Sequence, residues 1–336
     1  MNFGGKIRIN KLGICIIVGA MFLFVYYMTS NKSSNLETKS VVSLKKLLIA
    51  SIEATVKGGK EVVDVYKSSK LNERSKGKTK EGVNDPITDA DEKSNCAMFY
   101  SLTHTFPDIK VVSEEVSSES DCRTLQTLDL GNIVLKNSKD IKDEQVLSSE
   151  VTMWIDPLDA TKEFTENLLE YVTTMACVAV NGEPVIGVIH FPFGEEPKTY
   201  WGWVGKGVSE ELYAKFQKKL DDSHPIVIVS RSHSGQVESI VKEAFGNSFS
   251  VIKAGGAGYK SLEVCSKNVT AYVHTSVIKK WDICAGNAII KALGGKMTTL
   301  KNEDINYKDI KNTVNSDGIL ATIENHDKLI KHFKII

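Results

Sequence analysis

The chain has no net charge of either sign. Its 42 basic and 42 acidic residues cancel, so no global field marks it as a nucleic-acid binder, and any basic surface must be local. No internal repeat is visible, which leaves repeat architectures without support. None of the six cysteines forms a pair with zinc-finger or thioredoxin spacing, which removes those two classes. Acidic residues are missing ahead of Glu37, whereas Lys6, Arg8 and Lys11 are present. Between these flanks Leu12 to Met28 is an uncharged apolar run of 17 residues, at the short end for a membrane span. The excess of positive charge before it places the N-terminus in the cytosol and the rest of the chain across the membrane. A span this short suits the thinner early-secretory bilayers. The competing reading is a cleaved signal peptide; the run is long for that, and no small-x-small cleavage site follows.

With 336 residues, 42% apolar and 25% charged, the chain has ordinary globular composition and room for one large or two modest domains. The reading is a cytosolic tail (1–11), an anchor (12–28), a polar stem (29–40), an α+β half (41–222) and an α/β half (223–336). Leu44 to Tyr66 carries apolar residues at helical period over six turns. Residues 67–82 are crowded with lysine and predict a solvated loop, or alternatively a basic flap over an anionic substrate. A second helix fits Asp91 to Thr105, and a strand ends at Val111-Val112-Ser113-Glu114-Glu115. After a polar excursion over 116–150 come strand-like runs at Val151–Ile155, Tyr171–Val180, Pro184–Phe191 and Thr199–Val204. The turn Asn181-Gly182 signals antiparallel pairing. Beyond residue 222, strands near 226–229, 250–252, 271–274 and 297–300 alternate with helices near 234–245, 257–267 and 281–293, favouring an α/β layer with a parallel or mixed sheet. Cys177 and Cys284 are expected to pack as small apolar groups, while a Cys96–Cys122 disulfide in a lumenal domain stays open. Asn31-Lys32-Ser33 and Asn268-Val269-Thr270 are glycosylation sequons.

The most informative stretch is Asp156-Pro157-Leu158-Asp159-Ala160-Thr161, at the junction of a strand and a helix. Asp156 precedes a proline and is biased to extended backbone; Pro157 predicts a turn; Asp159 falls at the N-cap position. Far downstream, Trp281-Asp282-Ile283-Cys284-Ala285-Gly286 opens a second helix with a carboxylate in its first turn. Glu114 and Glu115 end a strand, and adjacent strand residues face opposite sides, so one of the two should enter a given site. Pro86-Ile87-Thr88-Asp89-Ala90-Asp91 supplies further acids at a helix mouth. Each group alone is a capping cluster. Together they give clustered hard oxygen ligands for divalent metal beside helix N-termini suited to phosphate, which is the chemistry of metal-assisted phosphate ester hydrolysis.

Glu114-Glu115, D-P-L-D-A-T and W-D-I-C-A-G, in this order, resemble the inositol monophosphatase superfamily of Mg²⁺-dependent, Li⁺-sensitive phosphatases, over about residues 41–336. The resemblance implies an αβαβα layered sandwich of the sugar and inositol phosphatase type, behind one N-terminal transmembrane helix. It implies Glu114, Asp156 and the Leu158 carbonyl as ligands of a first Mg²⁺, and Asp156, Asp159 and Asp282 of a second, with two or three ions per site. Asp91 with Thr161 would orient and deprotonate the attacking water, and the Ala160 and Thr161 N–H groups would hold the phosphate. Ala160 departs from the glycine many relatives have; a helical first turn with negative φ would accommodate its methyl.

Two further turns lead from strands into helices: Ser230-Arg231-Ser232-His233-Ser234-Gly235 and Gly255-Gly256-Ala257-Gly258-Tyr259-Lys260-Ser261. With Y-V-T-T-M, K-K-W-D-I-C-A-G-N-A and S-K-G-K-T they resemble the Golgi branch of the superfamily, which acts on 3′-phosphoadenosine 5′-phosphate. That branch has a single N-terminal anchor and a lumenal catalytic domain. By this resemblance Ser230, His233 and Lys260 contact the adenosine 5′-phosphate, and the 3′-phosphate leaves as inorganic phosphate, giving AMP and clearing a by-product of sulfation. Arg231 is left outside the site as a surface ion-pair partner. The expected partners are a small nucleotide bisphosphate and the membrane, with no nucleic acid, and the resemblance leaves room for a homodimer. The rival readings are an inositol phosphate phosphatase of the same superfamily and a non-catalytic relative that binds metal and nucleotide.

Overall fold

The computed structural model describes residues 11–32, 40–78, 82–122, 127–128, 130–131, 141–220, 223–231, 237–246 and 249–335. The chain divides into two units, residues 1–40 and 41–336. The first contains α1 (Lys11–Lys32), whose large apolar side chains from Ile16 to Tyr27 are exposed all round. Among the described residues no helix is long and apolar enough to cross a membrane; within α1 the described side chains are those of Gly13 and residues 16–27.

The second unit opens with β1 (Val41–Ser43), α2 (Leu44–Lys67) and the strands β2 (Arg74–Lys78) and β3 (Asn84–Ile87). Next come α3 (Asp89–Asn95), continued through one wide turn at Cys96–Tyr100 into α4 (Ser101–Thr105), and β4 (Lys110–Ser113). The first half is completed by β5 (Gln145–Leu147), β6 (Val151–Asp159), α5 (Thr161–Thr165), β7 (Thr173–Val180), β8 (Glu183–Phe191), β9 (Lys198–Trp203), β10 (Gly207–Val208) and α6 (Glu210–Phe216). The second half runs β11 (Ile226–Ser230), α7 (Val237–Phe245), β12 (Ser250–Ala254), α8 (Ala257–Cys265), β13 (Ala271–His274) and β14 (Ile278–Lys279). It ends with α9 (Lys280–Ala292), β15 (Lys296–Thr298), β16 (Val314–Asn315), β17 (Ile319–Thr322) and α10 (His326–Leu329).

Two sheets organise these elements. The first has the order β10-β9-β8-β7-β6-β4 and is antiparallel except where β4 joins β6 in parallel. The second, β12-β11-β13-β17-β15, is mixed: β11 runs parallel to β12 and β13, and β17 antiparallel to β13 and β15. α2 and the α3–α4 segment pack on one face of the first sheet, α8 and α9 lie between the sheets, and α7 and α10 pack on the second sheet. The layer order is αβαβα. Its apolar cores are shared between successive layers: Leu47, Met98 and Trp203 in the first, Trp154, Ile283 and Tyr272 in the middle, Val229, Val241 and Phe333 in the outer.

α2 shows why the sequence folds this way. Ser43 caps it by accepting from the Lys46 N–H at 3.0 Å, and Leu44, Leu47, Leu48, Ser51, Thr55, Val62 and Val65 form its buried stripe. The hairpin turn at Asn181-Gly182 holds as read, with β7 and β8 antiparallel across it. Three expectations need correction. Residues 67–82, read first as a solvated loop, supply β2, which pairs with β3. Pro157 does not end β6: the ladder to β7 resumes at Asp159↔Thr173 after Asp156↔Met175, so Pro157 and Leu158 form a bulge, a position that tolerates a residue without an N–H. Cys177 and Cys284, expected to pack as separate apolar groups, are joined to each other; Cys96 is joined to Cys122. Two disulfides fit an oxidising compartment.

Candidate active site

The bulge in β6 is what builds the site. It turns Asp156 and Asp159 toward the cleft at the end of the first sheet, while α9 brings Asp282 from the other side. Glu114, Asp156 and Asp282, from three distant segments, each offer a carboxylate oxygen within 4.8 Å of the others. Asp156 is 1% exposed and also accepts from the Leu158 N–H at 3.1 Å. Asp282 accepts from the Lys279 N–H at 3.1 Å, closing the start of α9. Burial, reinforced by the neighbouring carboxylates, pushes Asp156 and Asp282 well above the usual aspartate range, and Glu114 is raised by burial as well. These three carboxylates are placed so that they could hold a metal ion. The oxygen-only donor set suits a hard divalent ion such as Mg²⁺.

Asp159 lies in the same cleft with its oxygens turned to α8. Oδ1 accepts from the Ala257 N–H at 3.0 Å, and Oδ2 from the Gly258 N–H at 2.8 Å and the Thr173 hydroxyl at 3.1 Å. It therefore also caps α8, which explains why it stands slightly apart from the cluster of three. Burial raises it despite these donors and the Lys260 charge.

Asp91 and Thr161 do meet, with the Thr161 hydroxyl donating to Asp91 Oδ1 at 2.8 Å. The other carboxylate oxygen accepts from both the N–H and the hydroxyl of Thr88 at 2.7 Å, so Asp91 caps α3 and faces the site at once. Burial lifts Asp91 to about 6, against the pull of its three hydrogen bonds. The Leu158 carbonyl lies 3.1 Å from the Thr161 hydroxyl. α5 starts at Thr161, one residue later than the Asp159 N-cap reading, and Ala160 adopts φ 72° and ψ 43°. The expectation of negative φ at Ala160 is thus overturned. A left-handed residue followed by a right-handed one aims consecutive N–H groups into a concavity that suits an anion, and that geometry takes precedence over the steric preference of alanine.

Ser230 and Lys260 both line the cleft, 4% and 3% exposed. The Lys260 ammonium donates to the Gly256 carbonyl and lies 5.2 Å from the Tyr272 ring; burial lowers it to about 8. His233 lies outside the described residues. Arg231 pairs with Glu163 and Glu166 at 3.2 and 2.5 Å, as its exclusion from the site anticipated.

Some residues of the site escaped the sequence. Lys76, on the β2–β3 hairpin, reaches Glu114 at 2.8 Å and Glu115 at 2.6 Å, so both glutamates meet one cation although only one belongs to the cluster of three. Their charges outweigh the effect of burial and raise Lys76. Lys78 lines the cleft too, which favours the flap alternative for this segment. Tyr272 and His274 alternate on β13 and both line the cleft; the period of two in Ala-Tyr-Val-His was the available signal. The cavity, about 650 Å³, is of the size that takes a small ligand.

The sequence pattern of the inositol monophosphatase family matches residues 43–336. The chain belongs to the inositol monophosphatase family. Among relatives of this family, inositol monophosphatase 3 of Danio rerio is 44% identical over 340 residues, covering 98% of this chain and 97% of that protein. The Golgi-resident adenosine 3′,5′-bisphosphate 3′-phosphatase of Bos taurus is 45% identical over 302 residues, covering 86% and 80%. Among solved structures, CysQ from Bacteroides thetaiotaomicron, a bacterial member of the inositol monophosphatase family, superposes with a TM-score of 0.60 at 22% identity, covering 87% of this chain and 100% of that one. The inositol monophosphatase from Anabaena gives 0.58 at 20%, covering 87% and 97%. At these identities the two structures speak for the fold alone. The family assignment makes the protein a phosphatase acting on a small phosphate ester.

Proposed function

We propose that the protein removes the 3′-phosphate of 3′-phosphoadenosine 5′-phosphate, giving AMP and inorganic phosphate, with Mg²⁺ held by Glu114, Asp156, the Leu158 carbonyl, Asp159 and Asp282. The observation that carries the substrate choice is the shape of the cleft: one cavity joins the carboxylate cluster to a buried lysine and serine, Lys260 and Ser230, from the other half of the fold. An ester with a single phosphate has no use for a second cationic subsite; a bisphosphate does. The relative from Bos taurus is named for this reaction.

When bound, Mg²⁺ offsets the negative charge of the ester and acidifies a coordinated water. The chain's own groups supply the rest. The Thr161 hydroxyl lies within reach of both Asp91 and the Leu158 carbonyl; with its proton directed at Asp91, the shorter contact, it accepts a proton from water while passing its own to Asp91. The consecutive N–H groups at Ala160 and Thr161 orient the transferred phosphate. Lys76 and Lys78, on the hairpin, close over the anionic substrate. Lys260 and Ser230, with His233, hold the 5′-phosphate end.

The same proposal places the catalytic unit in the lumen of the Golgi or a neighbouring early secretory compartment, anchored by α1. The exposed ring of isoleucine, phenylalanine and tyrosine on this helix, the basic flank before it and two disulfides beyond it support that topology. Li⁺ sensitivity and glycosylation at Asn268, which is exposed, belong to this reading.

The second reading, an inositol phosphate phosphatase, is favoured by the relatives named inositol monophosphatase 3. Turnover of 3′-phosphoadenosine 5′-phosphate and of inositol 1-phosphate by the full chain in Mg²⁺ separates the two. The proposal expects a kcat/KM at least tenfold higher for the nucleotide (about 1.4 kcal/mol from one charged contact); preference for the inositol ester defeats it.

A further inference from the structure

Asp282 stands in the first turn of α9, and two glycines form part of the seat of that helix on the first sheet. A Cβ at Gly187 would lie 2.1 Å from the Ala285 carbonyl oxygen, and one at Gly202 would lie 3.0 Å from Ile289 Cα. Such seats let the backbones approach closely, while Trp154, Met175 and Ile189 of the sheet share a core with Ile283 and Ile289 farther along the helix. Meanwhile the carboxylates of Glu114 and Asp156, within 4.8 Å of that of Asp282, push the helix start away from β6. One covalent feature opposes this push. Cys284, two residues after Asp282, is bonded to Cys177 of β7, with Cα atoms 5.7 Å apart. Cys177 faces Trp154 in the β6–β7 ladder, two residues from Asp156. The bond therefore ties together, across a sequence separation of 107, the neighbourhoods of two acids that repel. Cys177 and Cys284 are 1% and 0% exposed, so the bond is shielded from solvent once the fold closes over it.

We propose that the Cys177–Cys284 bond is a positioning device that holds Asp282 in the cluster against the repulsion of Glu114 and Asp156, and so sets the affinity of the site for its divalent cation. The inference rests on the metal-dependent reading above. Neither cysteine touches substrate; both act through Asp282. Without the bond, the start of α9 relaxes outward in the metal-free protein, and a cation must draw it back as it binds, which weakens binding.

The test uses the full chain, made in an oxidising compartment and held in detergent. Binding of MgCl₂ is titrated calorimetrically without substrate for the wild type, Cys177→Ala/Cys284→Ala and the volume-refilling Cys177→Val/Cys284→Ala, with Cys96→Ala/Cys122→Ala as control. Both Cys177/Cys284 variants are expected to bind Mg²⁺ about 10–100-fold more weakly, the range seen when groups supporting a metal ligand are lost. Their kcat at saturating Mg²⁺ should stay within roughly threefold of wild type, because the transition-state contacts are intact. The control should lose thermal stability and keep its Mg²⁺ affinity. Unchanged Mg²⁺ affinity in a folded Cys177/Cys284 variant, or failure of both variants to fold, assigns the bond to the fold alone and overturns the proposal. A wild-type chain that takes up no Mg²⁺ removes the metal-dependent reading instead, and that result needs no variant.

Discussion

Replacing Asp282 by asparagine should abolish turnover and yet make the metal-free protein more stable. Asp282 shares a space of 4.8 Å with Glu114 and Asp156. At an effective dielectric of about 20, each like-charge pair at that distance costs about 3.5 kcal/mol. Asp282 and Glu114 are partly exposed, Lys76 neutralises part of the cluster, and the raised carboxyls shed some charge by protonation. The net gain from Asp282→Asn is therefore expected at about 1–3 kcal/mol, or about 2–6 °C in Tm for a unit of this size. The assay is thermal unfolding of the full chain at pH 7.5, in a chelator and then in MgCl₂. Wild type should gain stability with Mg²⁺, whereas Asp282→Asn should start higher and gain less, keeping only the ion on Glu114 and Asp156. The pH dependence follows with its sign. These acids have folded-state values above their unfolded ones, so the folded state binds more protons and its stability falls as pH rises. In chelator, wild type should become more stable as the pH is lowered from 8 to 6. A Tm for Asp282→Asn that is unchanged or lower in chelator, or that rises with Mg²⁺ as much as wild type does, would refute the reasoning.

Ala160→Gly should raise stability by up to about 1 kcal/mol, since relief of a left-handed alanine (about 1–2 kcal/mol) is partly offset by glycine's unfolded-state freedom; urea unfolding that shows a clear loss would contradict the assigned backbone. With Asp91 raised to about 6 and needed as the carboxylate, kcat should fall as the pH drops through 6, and a rate flat down to pH 5 would remove Asp91 from proton transfer. Lys260→Ala should raise KM for the nucleotide bisphosphate at least tenfold while sparing hydrolysis of a minimal phosphate ester (about 1.5–3 kcal/mol for a charged contact); equal losses on both would assign Lys260 to the fold or the metals.

Much of this architecture could be read in the sequence because it depends on local periodicity. The stripe from Leu44 to Tyr66, the Asn181-Gly182 turn and the strand–helix alternation after residue 222 all became the elements they predicted. The acids of D-P-L-D-A-T, W-D and Glu114 were legible because hard-ligand chemistry restricts the choice of side chain. Features set by tertiary context were not. β17, Ile319–Thr322, sits between β13 and β15, but three apolar residues and a threonine between turns carry no period of their own. The left-handed Ala160 contradicts alanine's preference, and only the bulge around Pro157 and Leu158 makes it necessary. Lys76 was lost in a run of lysines because which of them reaches Glu114 depends on a two-residue register in the β2–β3 hairpin. Cys177 and Cys284 each read as a core residue, since pairing across more than a hundred residues leaves no mark in either local sequence.

The central claim, that acids from distant segments converge to hold divalent cations, is tested most directly by anomalous diffraction from crystals of the protein grown with MnCl₂. The account predicts strong manganese peaks bridged by Asp156, with Glu114 and the Leu158 carbonyl on one and Asp159 and Asp282 on the other. A map with no peak among these residues, at manganese concentrations that support phosphate release, would contradict it.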